Sequence, residues 1–144
     1  MVNTVNVSAY EGSPPAGDEG RRILTGSPLY PSGLINKLLE KGCVGFEIWT
    51  KKGLQNLKKW RLDHDDVLEL LKIAITNGRY LGSLWCVQKP TGPWAACDHY
   101  SVMRKEWCEA AFKDMVFEYY VKFAVNKSGK LLLVVSCPPS EDRS

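Results

Sequence analysis

Residues 94–136 read WAACDHYSVMRKEWCEAAFKDMVFEYYVKFAVNKSGKLLLVVS, and the reading of this stretch decides the fold. Its second half carries Val, Phe, Tyr and Leu at 116–125 and 131–136, on either side of the turn Asn126-Lys127-Ser128-Gly129. Aromatic and β-branched runs flanking an Asn- and Gly-containing turn predict a half-buried β-hairpin. Within 117–125 the period of two puts Tyr120 and Lys122 on one face and Tyr119, Val121 and Phe123 on the other. One face is therefore wet and cationic and the other apolar. The first half of the stretch gathers Cys97, Asp98, His99, Tyr100, Arg104 and Lys105. Met103, Trp107, Ala110 and Ala111 then recur at helical spacing, with Glu106 and Glu109 ahead of Lys113, which predicts a helix over 101–114 and leaves the polar cluster in a loop before it.

Upstream, residues 79–87 (RYLGSLWCV) predict a strand, and the prolines of 88–93 a loop. The clearest helix starts at Asp63, whose carboxylate caps it while Asp65 and Asp66 complement the helix dipole; Val67, Leu70, Leu71, Ala74 and Ile75 form its buried stripe, and Asn77-Gly78 ends it. His64 among these aspartates resembles a metal cluster superficially, but acidic first turns are routine. Residues 44–50 alternate as a strand, followed by a helical turn at 54–60. A short amphipathic helix runs from Ser32, its expected cap, to a stop at Gly42. Residues 1–31, rich in Pro and Gly, predict a flexible or extended arm, with a short strand at 4–10; residues 32–138 form the single domain and 139–144 a disordered tail.

With 144 residues, 44% of them hydrophobic, the chain is long enough for one core without staples. A net charge of +3 permits nucleic-acid binding without demanding it. Five cysteines with no CxxC pair, beside only two histidines, argue against a zinc module and for buried, reduced thiols. No apolar run approaches the ~18 residues of a membrane span. The expectation is a cytoplasmic protein without a cofactor.

Two chemistries suit the clustered residues. Cys97 and His99 share a face in an extended segment, so a cysteine nucleophile is one reading, although Asp98 would point away; a buried thiol behind Trp94 is the other. RNA cleavage through the substrate's own 2′-hydroxyl needs no metal, only a base, an acid and cations around the phosphate. His99, Tyr120 and Lys122 are the catalytic candidates, and Arg79, Tyr100, Arg104 and Lys105 those that would hold substrate. A solvated Lys-Tyr pair on an outer strand face is the plainer alternative.

From residue 34 to residue 136 the chain resembles the MqsR-type toxins of the RelE-like group. The likeness rests on INKLLEKG; on Leu62-Asp63-His64-Asp65 followed by VLELLKIAI; on Trp94, Asp98 and Tyr100; on Tyr120-x-Lys122; and on the closing VVS of 134–136. The resemblance implies an α+β domain with a small antiparallel sheet packed against two or three helices, messenger-RNA endoribonuclease activity, and a neutralising protein antitoxin. Tyr120 matches a tyrosine the family uses in cleavage. Cys97 stands where the family has glutamine, the family's closing serine-x-lysine is Ser136-Cys137-Pro138, and a lysine expected near 80–83 is absent. About ten residues are inserted between Tyr100 and Tyr120. A non-catalytic protein- or RNA-binding module on the same scaffold is the competing expectation.

Overall fold

The computed structural model describes residues 5–16 and 19–140. Six strands form one sheet: β1 (Arg22–Ile23), β2 (Phe46–Ile48), β3 (Arg79–Val87), β4 (Trp94–Cys108), β5 (Lys113–Val125) and β6 (Leu132–Ser136). Their order is β1-β3-β4-β5-β6-β2. Neighbours are antiparallel except β2, which runs parallel to β6 and pairs Phe46 with Leu132 and Ile48 with Val134. The α+β class holds, with three helices: α1 (Ser32–Leu39), α2 (Lys51–Trp60) and α3 (His64–Asn77). The sheet is larger than expected and mixed, because β2 reaches β6 by a long crossover and no hairpin joins them.

Each helix is delimited by local chemistry. The Asp63 carboxylate accepts the Asp66 N–H at 2.8 Å, and the Asp66 carboxylate accepts the Asp63 N–H at 2.9 Å, a reciprocal capping box at the start of α3. The acidic run is thus a helix start, and the His64 ring stacks on Phe46. Thr50 caps α2 by accepting the Gly53 N–H, and its own hydroxyl donates to the Val135 carbonyl, fastening the helix to the end of β6. Pro31, not Ser32, occupies the N-cap of α1. Ile35, Leu38 and Leu39 of α1 and Val67, Leu70 and Leu71 of α3 are buried with Val102, Val121, Phe123, Leu132 and Val134 of the sheet. At ~1.5–3 kcal/mol per buried aliphatic or Phe side chain, this layer is the main source of stability.

The helix expected over 101–114 is instead strand. β4 continues unbroken to Cys108, residues 109–112 turn, and β5 begins at Lys113, so that Ser101 through Cys108 pair with Tyr120 back to Lys113. β3 stops at Arg79, opposite Ser101, and the described part of the tail reaches only Glu118, through the Ser140 N–H on its carbonyl at 2.8 Å. Beyond those points the hairpin is a two-stranded ribbon with Met103, Trp107, Phe112 and Val116 exposed. Toward α3 this part of β4 turns the charged Arg104 and Glu106, so the apolar alternation that marks a half-buried strand is missing from its sequence.

The described residues of the arm run extended along the sheet. Val5 and Val7 bracket Trp94 through backbone hydrogen bonds, and Ala9 donates to the Val125 carbonyl while Lys127 donates to that of Val7, so residues 5–9 lie between the start of β4 and the end of β5. Tyr10, Ile23 and Leu29 pack on Trp85, Trp94 and Ala96 as a second, smaller cluster. Of the expected strand at 4–10, Thr4 lies outside the described residues, as do 1–3, 17–18 and, in the tail, 141–144. Pro138–Ser140 run alongside β5, with the Tyr120 N–H donating to the Pro138 carbonyl. Among the described residues no helix is long and apolar enough to cross a membrane.

Candidate functional site

The β4–β5 register decides which side chains meet. His99 lies opposite Lys122, Ser101 opposite Tyr120, and Met103 opposite Glu118; directly paired residues share a face, here the one turned away from α1 and α3. The His99 and Tyr120 rings are 6.0 Å apart at 59°. The Tyr120 hydroxyl donates to Glu118 Oε1 at 3.1 Å, and the Ser101 hydroxyl donates to Glu118 Oε2. Arg79 comes in from β3, opposite Ser101. The three expected catalytic residues, Tyr120, Lys122 and His99, are therefore neighbours, although His99 was expected in a loop.

Electrostatics set their protonation. Burial, and then the Lys122 ammonium, push the His99 pKa below 6.5, so its imidazole is neutral near pH 7 and able to accept a proton. Glu118 is held below the usual glutamate range by the Ser101 hydrogen bond first, then by the Tyr120 bond and the Arg79 charge. An ionised carboxylate thus orients the Tyr120 phenol. A neutral imidazole, an ammonium and an anchored phenol on one strand pair can exchange protons and stabilise developing negative charge.

Two of the residues expected to hold substrate face the other way. Tyr100 pairs with Val121 and stacks on Phe123 at 5.7 Å with 4° between the rings, and burial lifts its pKa to about 12. Arg104 is engaged with α3 through Asp66 Oδ1 at 3.0 Å and with Glu106 Oε2 at 3.0 Å. Both are structural on the helix side. Lys105 is on the same face as His99, but six residues along the strand, roughly 20 Å away at ~3.3 Å per residue, and it belongs to the ribbon. Arg79 alone of the four stays with the cluster.

Neither Cys97 nor Asp98 joins it. Cys97 is fully buried, and burial, then its neighbour Cys86, raise its pKa, keeping the thiol protonated and a poor nucleophile. The Asp98 carboxylate accepts the Leu29 N–H at 2.9 Å, the Tyr30 N–H at 3.2 Å and the Ser83 hydroxyl at 2.7 Å. It anchors the arm and does not orient His99. Burial raises its pKa against the opposing effect of those hydrogen bonds.

The arm supplies what the sequence did not reveal. A groove of about 340 Å³ is lined by Arg21, Arg22, Leu81, Gly82, Ser83, Leu84 and His99. A second of about 310 Å³ shares Arg22, Leu81 and Gly82 with it. At this point β3 bulges: Tyr80 pairs with Tyr100 and Gly82 with His99, so Leu81 is skipped, and Gly82 takes φ +135°, a conformation that side-chain-bearing residues avoid. Glu118 was legible, being two residues from Tyr120 on the same period-two face. Arg21 and Arg22 carried no such signal, since nothing in their neighbourhood has a period. Among the described residues no three His, Cys, Asp or Glu side chains assemble as a metal site would need. Comparison of the chain with protein-family models, with curated proteins and with solved structures finds no match in any of the three.

Proposed function

We propose that this protein is a metal-independent endoribonuclease of the MqsR-like, RelE-like kind, cleaving single-stranded RNA and paired with a protein antitoxin. The observation that carries the reading is the convergence of His99, Lys122 and Tyr120 on one face of β4 and β5. Neutral His99 takes the proton of the 2′-hydroxyl, and the 2′-oxygen attacks phosphorus. Lys122 and Arg79 offset the charge that builds on the phosphorane, and the Tyr120 phenol protonates the departing 5′-oxygen. The P–O5′ bond breaks as the P–O2′ bond forms, leaving a 2′,3′-cyclic phosphate and a 5′-hydroxyl. Glu118 holds the phenol until its proton turns to the 5′-oxygen, and after release His99 gives its proton to solvent and Tyr120 regains one from it.

The decisive experiment incubates a long single-stranded RNA with wild-type protein and with the Tyr120→Phe/Lys122→Ala double variant, in buffer with chelator. Cleavage by the wild type and a loss of at least about 100-fold in the double variant supports the assignment, given the 10²–10⁴-fold that a positioned acid or base contributes. Equal cleavage by both removes it.

A second reading, a non-catalytic binding module, is favoured by two specific observations. Where the resemblance would place a closing lysine, Pro138 holds the Tyr120 backbone with its carbonyl, and where another lysine is expected near residues 80–83 there is the Gly82 bulge. That reading predicts no RNA cleavage at any protein concentration, together with a tight protein partner.

A further inference from the structure

The groove beside His99 is built by parts of the chain that the catalytic reading does not use. Leu81, Gly82 and Leu84 of β3 line it, and with them Arg22 from β1, which is exposed. Three features point to one kind of occupant. The bulge takes Leu81 out of register with β4, so its peptide group is not committed to the β3–β4 ladder in the regular way. Around the position where a Gly82 side chain would stand there is open space, so a flat molecule can lie directly on the main chain. The guanidinium of Arg22, and that of Arg21 behind it over the Trp94 ring at 5.0 Å, make the rim cationic. A flat ring attached to a phosphate matches apolar side chains, open space over Gly82 and a cationic rim together.

We propose that this groove seats the unpaired nucleotide adjoining the scissile bond, its base between Leu81, Gly82 and Leu84 and its phosphate on Arg22. The inference rests on the reading of the protein as an RNA-binding nuclease. It goes further by assigning a substrate subsite to the arm. His99 is common to the groove and to the Tyr120–Lys122 cluster, so the groove adjoins the residues assigned to cleavage. The arm is thereby part of the substrate surface, and the Asp98 bonds to Leu29 and Tyr30 hold the segment that carries Arg22 in place. Single-stranded RNA is selected because a base can enter the groove only when it is unpaired and unstacked, which a duplex prevents.

The test uses the full chain carrying Tyr120→Phe, so that substrate persists, and a fluorescein-labelled eight-nucleotide single-stranded RNA of mixed sequence, titrated between 50 and 200 mM salt (about the range over which phosphate contacts are read). Arg22→Ala and Leu81→Glu, both at exposed positions, are added separately, with thermal melts to show that folding is retained. Arg22→Ala is expected to weaken binding about 5- to 10-fold and to reduce the salt slope by ~0.7, the value of one single-strand phosphate contact. Leu81→Glu is expected to weaken it at least about 10-fold, by placing a negative charge beside the base. If both variants bind within about twofold of their parent, the groove is not the subsite. RNA cleavage that depends on Tyr120 but not on Arg22 or Leu81 overturns this inference alone and leaves the nuclease reading standing. Arg22-dependent binding by a wild type that cleaves nothing sustains a nucleotide site in the groove but overturns cleavage and its place beside a scissile bond, and absence of all RNA binding overturns both.

Discussion

His99 stands directly opposite Lys122 across β4 and β5, and its pKa is depressed first by burial and then by that ammonium. A base with a lowered pKa is unprotonated over a wider range of pH. Cleavage should therefore rise with pH with its midpoint below 6.5, the ordinary histidine value, whereas a base role for an unshifted imidazole would give a midpoint at 6.5. The same shift has a sign for stability: the folded state disfavours the protonated ring, so His99's contribution is fully present above 6.5 and lost as pH falls through its folded value. The pH profile of kcat/KM, with denaturant melts of wild type and His99→Gln in parallel, checks both; a stability difference that does not change between pH 7 and pH 5 contradicts the second.

Asp98→Ala should destabilise by about 2–3 kcal/mol, because the N–H groups of Leu29 and Tyr30 and the Ser83 hydroxyl lose an acceptor in a buried place. The loss should centre on the arm. Limited proteolysis is expected to cut the variant within residues 19–31 well before wild type, and simultaneous cleavage across the core would refute this division.

Arg104→Gln separates structure from catalysis. The guanidinium ties β4 to the capping residue Asp66 and to Glu106, with only 12% of its side chain exposed, so its removal is expected to lower stability by ~1–2 kcal/mol. RNA cleavage by the folded variant should be unchanged. Arg79→Ala should do the opposite, retaining stability within ~0.5 kcal/mol and slowing cleavage. A large catalytic defect in Arg104→Gln would return that residue to the site.

The ribbon tip holds Phe112 at φ +56° and 78% exposed, its ring edge-on to Trp107 at 5.6 Å. A side chain in this left-handed region costs ~1–2 kcal/mol, about what the aromatic contact returns. Phe112→Gly is expected to change unfolding free energy by less than about 1 kcal/mol in either direction. A chemical melt showing a loss above about 2 kcal/mol would mean that the tip is packed against something.

Much of this architecture was readable from single residues. Asp63 announced α3, Arg79 to Val87 formed the predicted strand without a shift at either end, and the Asn126-to-Gly129 turn lay between β5 and β6. These are local signals, each satisfied within a few residues. Residues 101–114 failed for a physical reason: after the buried Val102 the inward positions of the strand are taken by Arg104 and Glu106, a polar pair, and the accidental spacing of Met103, Trp107 and Ala110 then reads as a helix. The site was half legible. Period two alone aligned Tyr120 with Lys122, but bringing His99 to them required the register between two strands, and bringing Arg22 required hydrogen bonds spanning 68 and 69 residues from Asp98 to the arm.

Residues 5–9 also carry a consequence for the order of assembly. Their partners are Trp94, Val125 and Lys127, roughly 90 to 120 positions later in the chain, so during synthesis they emerge long before anything exists for them to bind. The helical layer and the β4–β5–β6 meander can form from contacts nearer in sequence, while the slot between β4 and β5 closes only when the early segment returns to it. Until then the edges of Trp94 and Val125 stand open to any extended peptide, which makes this slot the place where a nascent chain would need shielding.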